Sequence, residues 1–200
     1  MLAEDEKRRE DNAMSRAYRI RVRESLRRTL RATDRVSSQL ELLQVLPAED
    51  MAALLAEELK RRGFQEQGPK LVRQGGGITV TIEPASGTVT VQAEAADQVV
   101  LQGERQGAYY EDNGPGHIQT KLRQAIQGEL EEQAKAKQAE LQKDVTARLE
   151  GQLADLQQEL DQVVNRVTAE ALKRKAAQIG QIKELTEDPQ NGSLTIVLEV

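Results

Sequence analysis

Residues 75–94 read GGGITVTIEPASGTVTVQAE, and the fold turns on how this stretch is interpreted. Ile78, Val80 and Ile82 alternate with threonines, as do Val89 and Val91. That period of two belongs to strands with one covered face and one wet face. The runs KLVRQ (70–74), ITVTIEP (78–84), TVTVQAE (88–94) and QVVLQGE (98–104) are separated by Gly75–Gly77, ASG and AAD. They predict a small antiparallel meander over residues 71–103.

The apolar face of such a meander needs a cover, and the segment just upstream offers one. LPAEDMAALLAEELKRRGF (46–64) has Pro47 at the first turn, Glu49 and Asp50 near the positive helix end, and Arg61, Arg62 and Gly63 at the stop. Met51, Leu54, Leu55 and Leu59 form its apolar stripe. A helix against an antiparallel meander is an α+β unit.

Further upstream, MSRAYRIRVRESLRRTLRATDR (14–35) places Met14, Tyr18, Val22, Leu26 and Leu30 four residues apart, which predicts an amphipathic helix. Residues 16–31 hold seven arginines against one acid, Glu24. The expected helix therefore carries about +6 locally. Arg16, Arg19, Arg23, Arg27 and Arg31 are the candidate partner-binding residues, for an acidic protein surface. The plainer alternative is a solvated face balanced by acidic helices elsewhere in an assembly.

Downstream of YYEDNGPGH, residues 117–186 contain no proline and read as a helical arm. Leu149, Leu153, Leu156, Leu160, Val163 and Val167 alternate steps of four and three, a heptad seam suited to a coiled coil and to self-association. Upstream steps run closer to four, at Ile118, Leu122, Ile126 and Leu130. The chain closes with DPQNGSLTIVLEV (188–200), a helix break followed by an apolar strand. A single strand cannot stand alone, so it is expected to pair with the meander, in this chain or in a neighbour. Pairing at home requires the arm to fold back, and Gly151 lies at its midpoint. Two helices of about 51 Å would result, against one of about 105 Å without the fold. The helical hairpin is the preferred reading because it returns the last strand to the sheet.

The expected architecture is thus a small antiparallel β-meander completed by the C-terminal strand, with N-terminal helices and a long inserted coiled-coil arm. Its segments are residues 1–46, a basic amphipathic helical segment; 47–116, helix plus meander; 117–186, the arm; and 187–200, the returning strand.

Composition narrows the function. The net charge is -5, charged residues make up 30% and aromatics only 2%, so the core must be aliphatic and thin, and general affinity for nucleic acid is disfavoured. There are no cysteines, which removes disulfides, thiolate metal sites and a cysteine nucleophile. The opening MLAEDEKRRED has no apolar core segment, and no run reaches the roughly 18 apolar residues of a membrane span, so a cytoplasmic protein is expected. The single histidine, His117, has no companions for a conventional zinc site. RQGGGIT lacks the lysine and hydroxyl that handle phosphate and magnesium. Glu111, Asp112 and Asn113 lack calcium-loop spacing, and nothing near Glu131 and Glu132 suggests acid catalysis. No catalytic residue, cofactor, metal or small-molecule substrate is expected.

With LAEELKRRGF leading into the strands and GSLTIVLEV following a helix, the chain resembles small bacterial, cyanobacterial and plastid proteins of unknown function that are encoded beside AAA+ ATPases. It also resembles the accessory subunits of ternary conflict systems built from FtsH-type, MoxR-type and von Willebrand A components. The resemblance implies a non-enzymatic partner of an ATPase system, with no catalytic residues to carry over. The expected role is an adaptor or structural subunit of a larger protein complex. The alternative is a nucleic-acid or anionic-surface module that uses the arginine-rich segment.

Overall fold

The computed structural model describes residues 17–110, 114–188 and 193–199. In chain order the elements are β1 (Tyr18–Gln39), α1 (Ala48–Arg61), β2 (Gln65–Gln67), β3 (Lys70–Gly75), β4 (Ile78–Glu83), β5 (Thr88–Tyr109), α2 (Gly114–Ile179), β6 (Gln181–Asp188) and β7 (Ser193–Glu199). A five-stranded antiparallel sheet has the order β1-β5-β4-β3-β2, and β6 and β7 form a separate hairpin. The α+β class is as expected. The chain divides into two compact units, one of Met1–Arg31 and Ala96–Leu141, the other of Ala32–Ala95 and Gln142–Val200. β1, β5 and α2 each contribute to both.

In the second unit the meander forms as its alternation predicts. Ile78, Val80 and Ile82 lie opposite Ala93, Val91 and Val89, and all six are buried. Gly76 and Gly77 make the β3–β4 turn with φ of 61° and 78°, the two left-handed residues that a two-residue hairpin loop requires. α1 buries Met51, Leu54, Leu55 and Leu59. Its end is closed by Gly63 at φ 86°, with Gly63 N donating to Lys60 O at 3.1 Å and Phe64 N to Leu59 O at 3.1 Å. These are the paired bonds of a Schellman stop, and they turn Phe64 back into the core beside Leu59.

Four expectations are corrected. The arginine-rich N-terminal segment is the strand β1 rather than a helix. A step of four is even, so Tyr18, Val22, Leu26 and Leu30 share one face of a strand as readily as one side of a helix. Ile20 and Ala32 fall on the same even-numbered face, and the whole run is rich in β-branched residues and arginine rather than alanine or leucine. Second, TVTVQAE and QVVLQGE are one continuous strand of 22 residues, β5; AAD carries neither glycine nor proline and does not turn the chain.

Third, the helix runs unbroken through Gly151. Gly151 is exposed, with no atom within 4 Å of where a Cβ would stand, so it breaks no packing and costs only its propensity of about 1 kcal/mol. Fourth, the C-terminal strand does not complete the five-stranded sheet. It pairs with β6, as in Ile182 with Leu198, Leu185 with Ile196 and Glu187 with Leu194. QIKELTED, expected at the end of the arm, is that partner strand, because the helix stops at Ile179 and Gly180 follows it. The requirement that the last strand have a partner holds; its partner is local.

In the first unit, β1 and β5 form a two-stranded ribbon backed by α2. Val22, Leu101, Ile126, Leu130 and Ala134 are its core, with Ile20, Leu26 and Leu122 packed against them. Two glycines of the LQGERQG run make the close approach possible. A Cβ at Gly103 would stand 2.5 Å from Ile126 Cγ2, and one at Gly107 would stand 3.1 Å from Leu122 Cδ1 and 3.2 Å from Ile118 Cγ2. The helix ridge sits in notches that any side chain would fill.

Candidate interaction surface

Strand alternation sorts the side chains of β1 into two rows. Ile20, Val22, Glu24, Leu26 and Arg28 face α2, whereas Arg19, Arg21, Arg23, Arg27 and Arg31 share the outer face, about 6.8 Å apart where they are two residues apart. All five of these arginines are exposed. On the same face of β5 the unit offers Val100, Gln102, Glu104 and Gln106, so among the described residues of the ribbon's outer face Glu104 is the one acid against five arginines.

Glu104 serves two of them. Arg23 Nε donates to its Oε2 at 2.5 Å, and Arg21 Nε lies 3.0 Å from Oε1. The hydrogen bond from Arg23, with the charges of Arg21 and Arg23, holds the Glu104 carboxyl below the usual carboxylate range against a smaller opposing effect of desolvation. With its amide oxygen turned toward Arg21, Gln106 accepts from Nε at 3.3 Å and Nη2 at 3.1 Å. Arg19, Arg27 and Arg31 have no acidic partner among the described residues.

The charges on the inner face behave differently, because each is matched on α2. Glu24 accepts from Arg123 Nε at 2.9 Å, Arg28 Nη1 donates to Glu131 at 2.9 Å, and Arg105 pairs with Glu129. The hydrogen bond to Glu129 raises the Arg105 guanidinium above its ordinary value and lowers the Glu129 carboxyl. At the ribbon's end Tyr18 and Tyr109 stack, with ring centroids 5.4 Å apart.

The second unit carries two charged arrangements that hold α2 in place. Arg73 lies on the apolar face of the sheet, directly across from Val80. Its guanidinium donates to Glu159 through Nη1 at 2.7 Å and Nη2 at 2.6 Å, reaches the Arg62 carbonyl at 3.3 Å, and stands 4.5 Å from the centroid of the Phe64 ring. Donation to Glu159 raises Arg73 above its ordinary value and lowers the Glu159 carboxyl. Nearby, Glu58 is 8% exposed and is approached by Arg62 Nε at 3.1 Å, Arg61 Nη1 at 3.6 Å and Arg166 Nε at 3.7 Å. The adjoining cleft of about 360 Å³ is lined by Arg61, Arg166, Lys173 and Arg174 and by Glu57, Glu58, Glu170 and Glu187. Its four cations and four acids offset one another, so the cleft has no surplus charge with which to recruit an ion.

Of the sequence-predicted site residues, Arg19, Arg23, Arg27 and Arg31 come together on one face, though a strand presents them rather than a helix; Arg16 lies outside the described residues. Leu149, Leu156, Leu160, Val163 and Val167 are buried within the chain and Leu153 is half-buried. His117 is exposed in the first turns of α2, and Glu111, Asp112 and Asn113 lie outside the described residues. No helix of the described chain is long and apolar enough to cross a membrane. Sequence reasoning missed Arg21, Glu104 and the Arg73–Glu159 pair. The odd-numbered spacing of Arg19, Arg21, Arg23, Arg27 and Arg31 was the available signal for the first; nothing local marks the last.

The chain is thus an α+β protein whose helices carry ion pairs and whose ribbon displays a row of exposed arginines. The chain belongs to the family described as FtsH ternary system domain X5, whose model matches residues 14–200. It is an accessory domain of an FtsH ternary system, as its resemblance suggested. Neither the curated proteins nor the solved structures provide a match.

Proposed function

We propose that the chain is a non-enzymatic adaptor or structural subunit that binds other proteins of an FtsH ternary system in the cytoplasm, with an AAA+ ATPase among its partners and a role in bacterial conflict or defence. Membership of the family over nearly the whole chain carries this reading. The arginine row supports it, because surplus exposed charge steers association and selects partners while adding little to fold stability. The charged cleft beside α1 fits a structural role, since its charges are already matched.

The test is size-exclusion chromatography with light scattering on the chain alone and mixed with the ATPase of its system. A salt-sensitive complex of fixed stoichiometry is expected. Absence of any complex at concentrations of tens of micromolar, together with turnover of a substrate by the isolated chain, overturns the reading.

A further inference from the structure

The geometry points to the free edge of β1 between Arg19 and Thr29 as a docking edge for an extended acidic segment of a partner protein, which joins the ribbon as an added strand. This inference rests on the adaptor reading and names the kind of segment that the adaptor receives.

Among the described residues β1 is the terminal strand of its sheet, with β5 as its neighbour. Backbone groups alternate along a strand as side chains do, so successive residues address opposite edges. Just past the end of β1, Leu40 N donates to Gly87 O at 2.8 Å, so the even-numbered residues address β5 and the odd-numbered ones the other edge, where the Arg31 carbonyl accepts Gln138 Nε2 from α2 at 2.7 Å. The side chains of Arg23 and Glu104 meet across the ladder, in line with the register that Leu40 and Gly87 define, so Arg23 belongs to a pair that does not exchange backbone hydrogen bonds. The same parity follows. Gln138 closes the edge at Arg31; among the described residues, the outward groups of Arg19, Arg21, Arg23, Ser25 and Arg27 have no such cap.

Edge groups and charge therefore coincide residue by residue. A strand added at this edge exchanges hydrogen bonds with Arg19, Arg21, Arg23 and Arg27, and in an antiparallel ladder the residue opposite each of them puts its side chain on the same, outer face. Glu104 shows on the β5 side what this row accepts across a ladder. A second β1 is a poor occupant, because antiparallel self-pairing sets arginine against arginine. An acidic segment with carboxylates at alternate positions matches the row instead, and strand addition to a sheet edge is an established mode of peptide recognition.

Three probes test the full chain by fluorescence anisotropy: a peptide of about nine residues alternating glutamate and valine, the same composition with its glutamates in one block, and a single-stranded RNA of about 20 nucleotides. The alternating peptide is expected to bind best and to lose affinity with salt. The double variant Arg19→Glu, Arg27→Glu, whose side chains have no ion pair among the described residues, should weaken it by about tenfold or more. Ser25→Pro keeps every arginine but removes an outward N–H, and edge strands tolerate proline; it should abolish peptide binding with the circular dichroism unchanged. Amide exchange in the complex should slow at Arg19, Arg21, Arg23, Ser25 and Arg27 and not at the even-numbered residues between them.

Equal binding of the alternating and blocked peptides, or unchanged exchange on binding, means that the arginines act as a charged face and overturns strand addition. Tighter binding of RNA, unaffected by Ser25→Pro, replaces the acidic segment with a phosphate backbone. No binding of any probe reduces the row to edge protection against aggregation. A ternary-system complex that forms equally with wild type and both variants overturns this inference alone, whereas a wild type that forms no complex overturns the adaptor reading.

Discussion

Arg73 and Glu159 give the most quantitative test of how α2 is held on the sheet of the second unit. Arg73 projects from the apolar face of the meander, where an unpaired guanidinium is costly. The side chains are 32% and 26% exposed, short of full burial, so the fully buried loss of about 3–5 kcal/mol is an upper limit. Two charge-assisted bonds in this partly screened setting are worth about 2–3 kcal/mol together. Glu159→Ala should cost roughly that amount, because it strands Arg73. Arg73→Met should cost less, because it fills similar volume and leaves Glu159 free to turn toward water.

A double-mutant cycle in urea is expected to return a coupling of about 2 kcal/mol, equivalent to a fall of about 4–8 °C in Tm at this chain length. The pH dependence follows from the lowered carboxyl of Glu159. A depressed folded-state value means that the unfolded chain takes up the proton first as pH falls. The pair's contribution is therefore whole above the ordinary glutamate value of about 4.3. It fades as pH drops through the lower folded value, so wild type and Glu159→Gln should converge in acid. A coupling below about 0.5 kcal/mol, or a difference between them that persists to the lowest pH, refutes the argument that this pair holds the helix.

Gly103→Ala should destabilise the first unit by about 1–3 kcal/mol by forcing a methyl against Ile126 Cγ2; the smaller side chain of Ile126→Ala should recover part of the loss in the double variant, as read by chemical denaturation. Gly151→Ala should raise stability by up to about 1 kcal/mol, since Gly151 is an exposed residue inside an unbroken helix; a loss of stability would indicate a bend there. Deleting residues 193–200 removes the partner of β6, so amide protection should vanish over Gln181–Glu187 while Thr79–Ile82 keep theirs.

What was legible in the sequence is what short-range pattern encodes. Ile78, Val80 and Ile82 alternate without competition from any helical period, so β4 was clear. α1 was clear because its acids, its stripe and Gly63 agree on one element. β1 was misread because its apolar residues recur at four, a number that serves both periods; the choice between helix and strand depends on Ile20, Ala32 and the odd-numbered arginines taken together. The C-terminal strand was recognised, but its partner was hidden in a charged stretch, QIKELTED, whose two apolar residues are too few to show a period. The heptad seam was real as a pattern and unreadable as to destination. Leu156, Leu160 and Val163 need cover, and they are buried in the single chain, whereas the pattern alone serves a second helix equally well. Arg73 finding Glu159 across 86 residues is a property of the tertiary fold alone, and no local rule reaches it.

The thin core of the first unit explains why its charges are arranged as they are. Among the described residues, Val22, Leu101, Ile126, Leu130 and Ala134 form its central cluster, and two glycines contribute no side chain to it. The notches at Gly103 and Gly107, which seat Ile126 and the pair Leu122 and Ile118, give the ribbon and α2 one register of close packing. The inner-face pairs Glu24–Arg123, Arg28–Glu131 and Arg105–Glu129 reinforce it. Both strands carry them, and their polarity is mixed, with an acid on β1 meeting a base on α2 and two bases of the ribbon meeting acids. A slip of one helical turn sets these partners apart, and a slip that brings Arg123 toward Arg28 adds repulsion. Each pair is exposed enough to contribute little to total stability, so together they fix register more than they fix the folded state. The outer arginines then differ from the inner charges in kind. The helix already answers those on the inside, whereas Arg19, Arg27 and Arg31 are left without an answering acid among the described residues, and that difference separates charge used to build the fold from charge left for a partner.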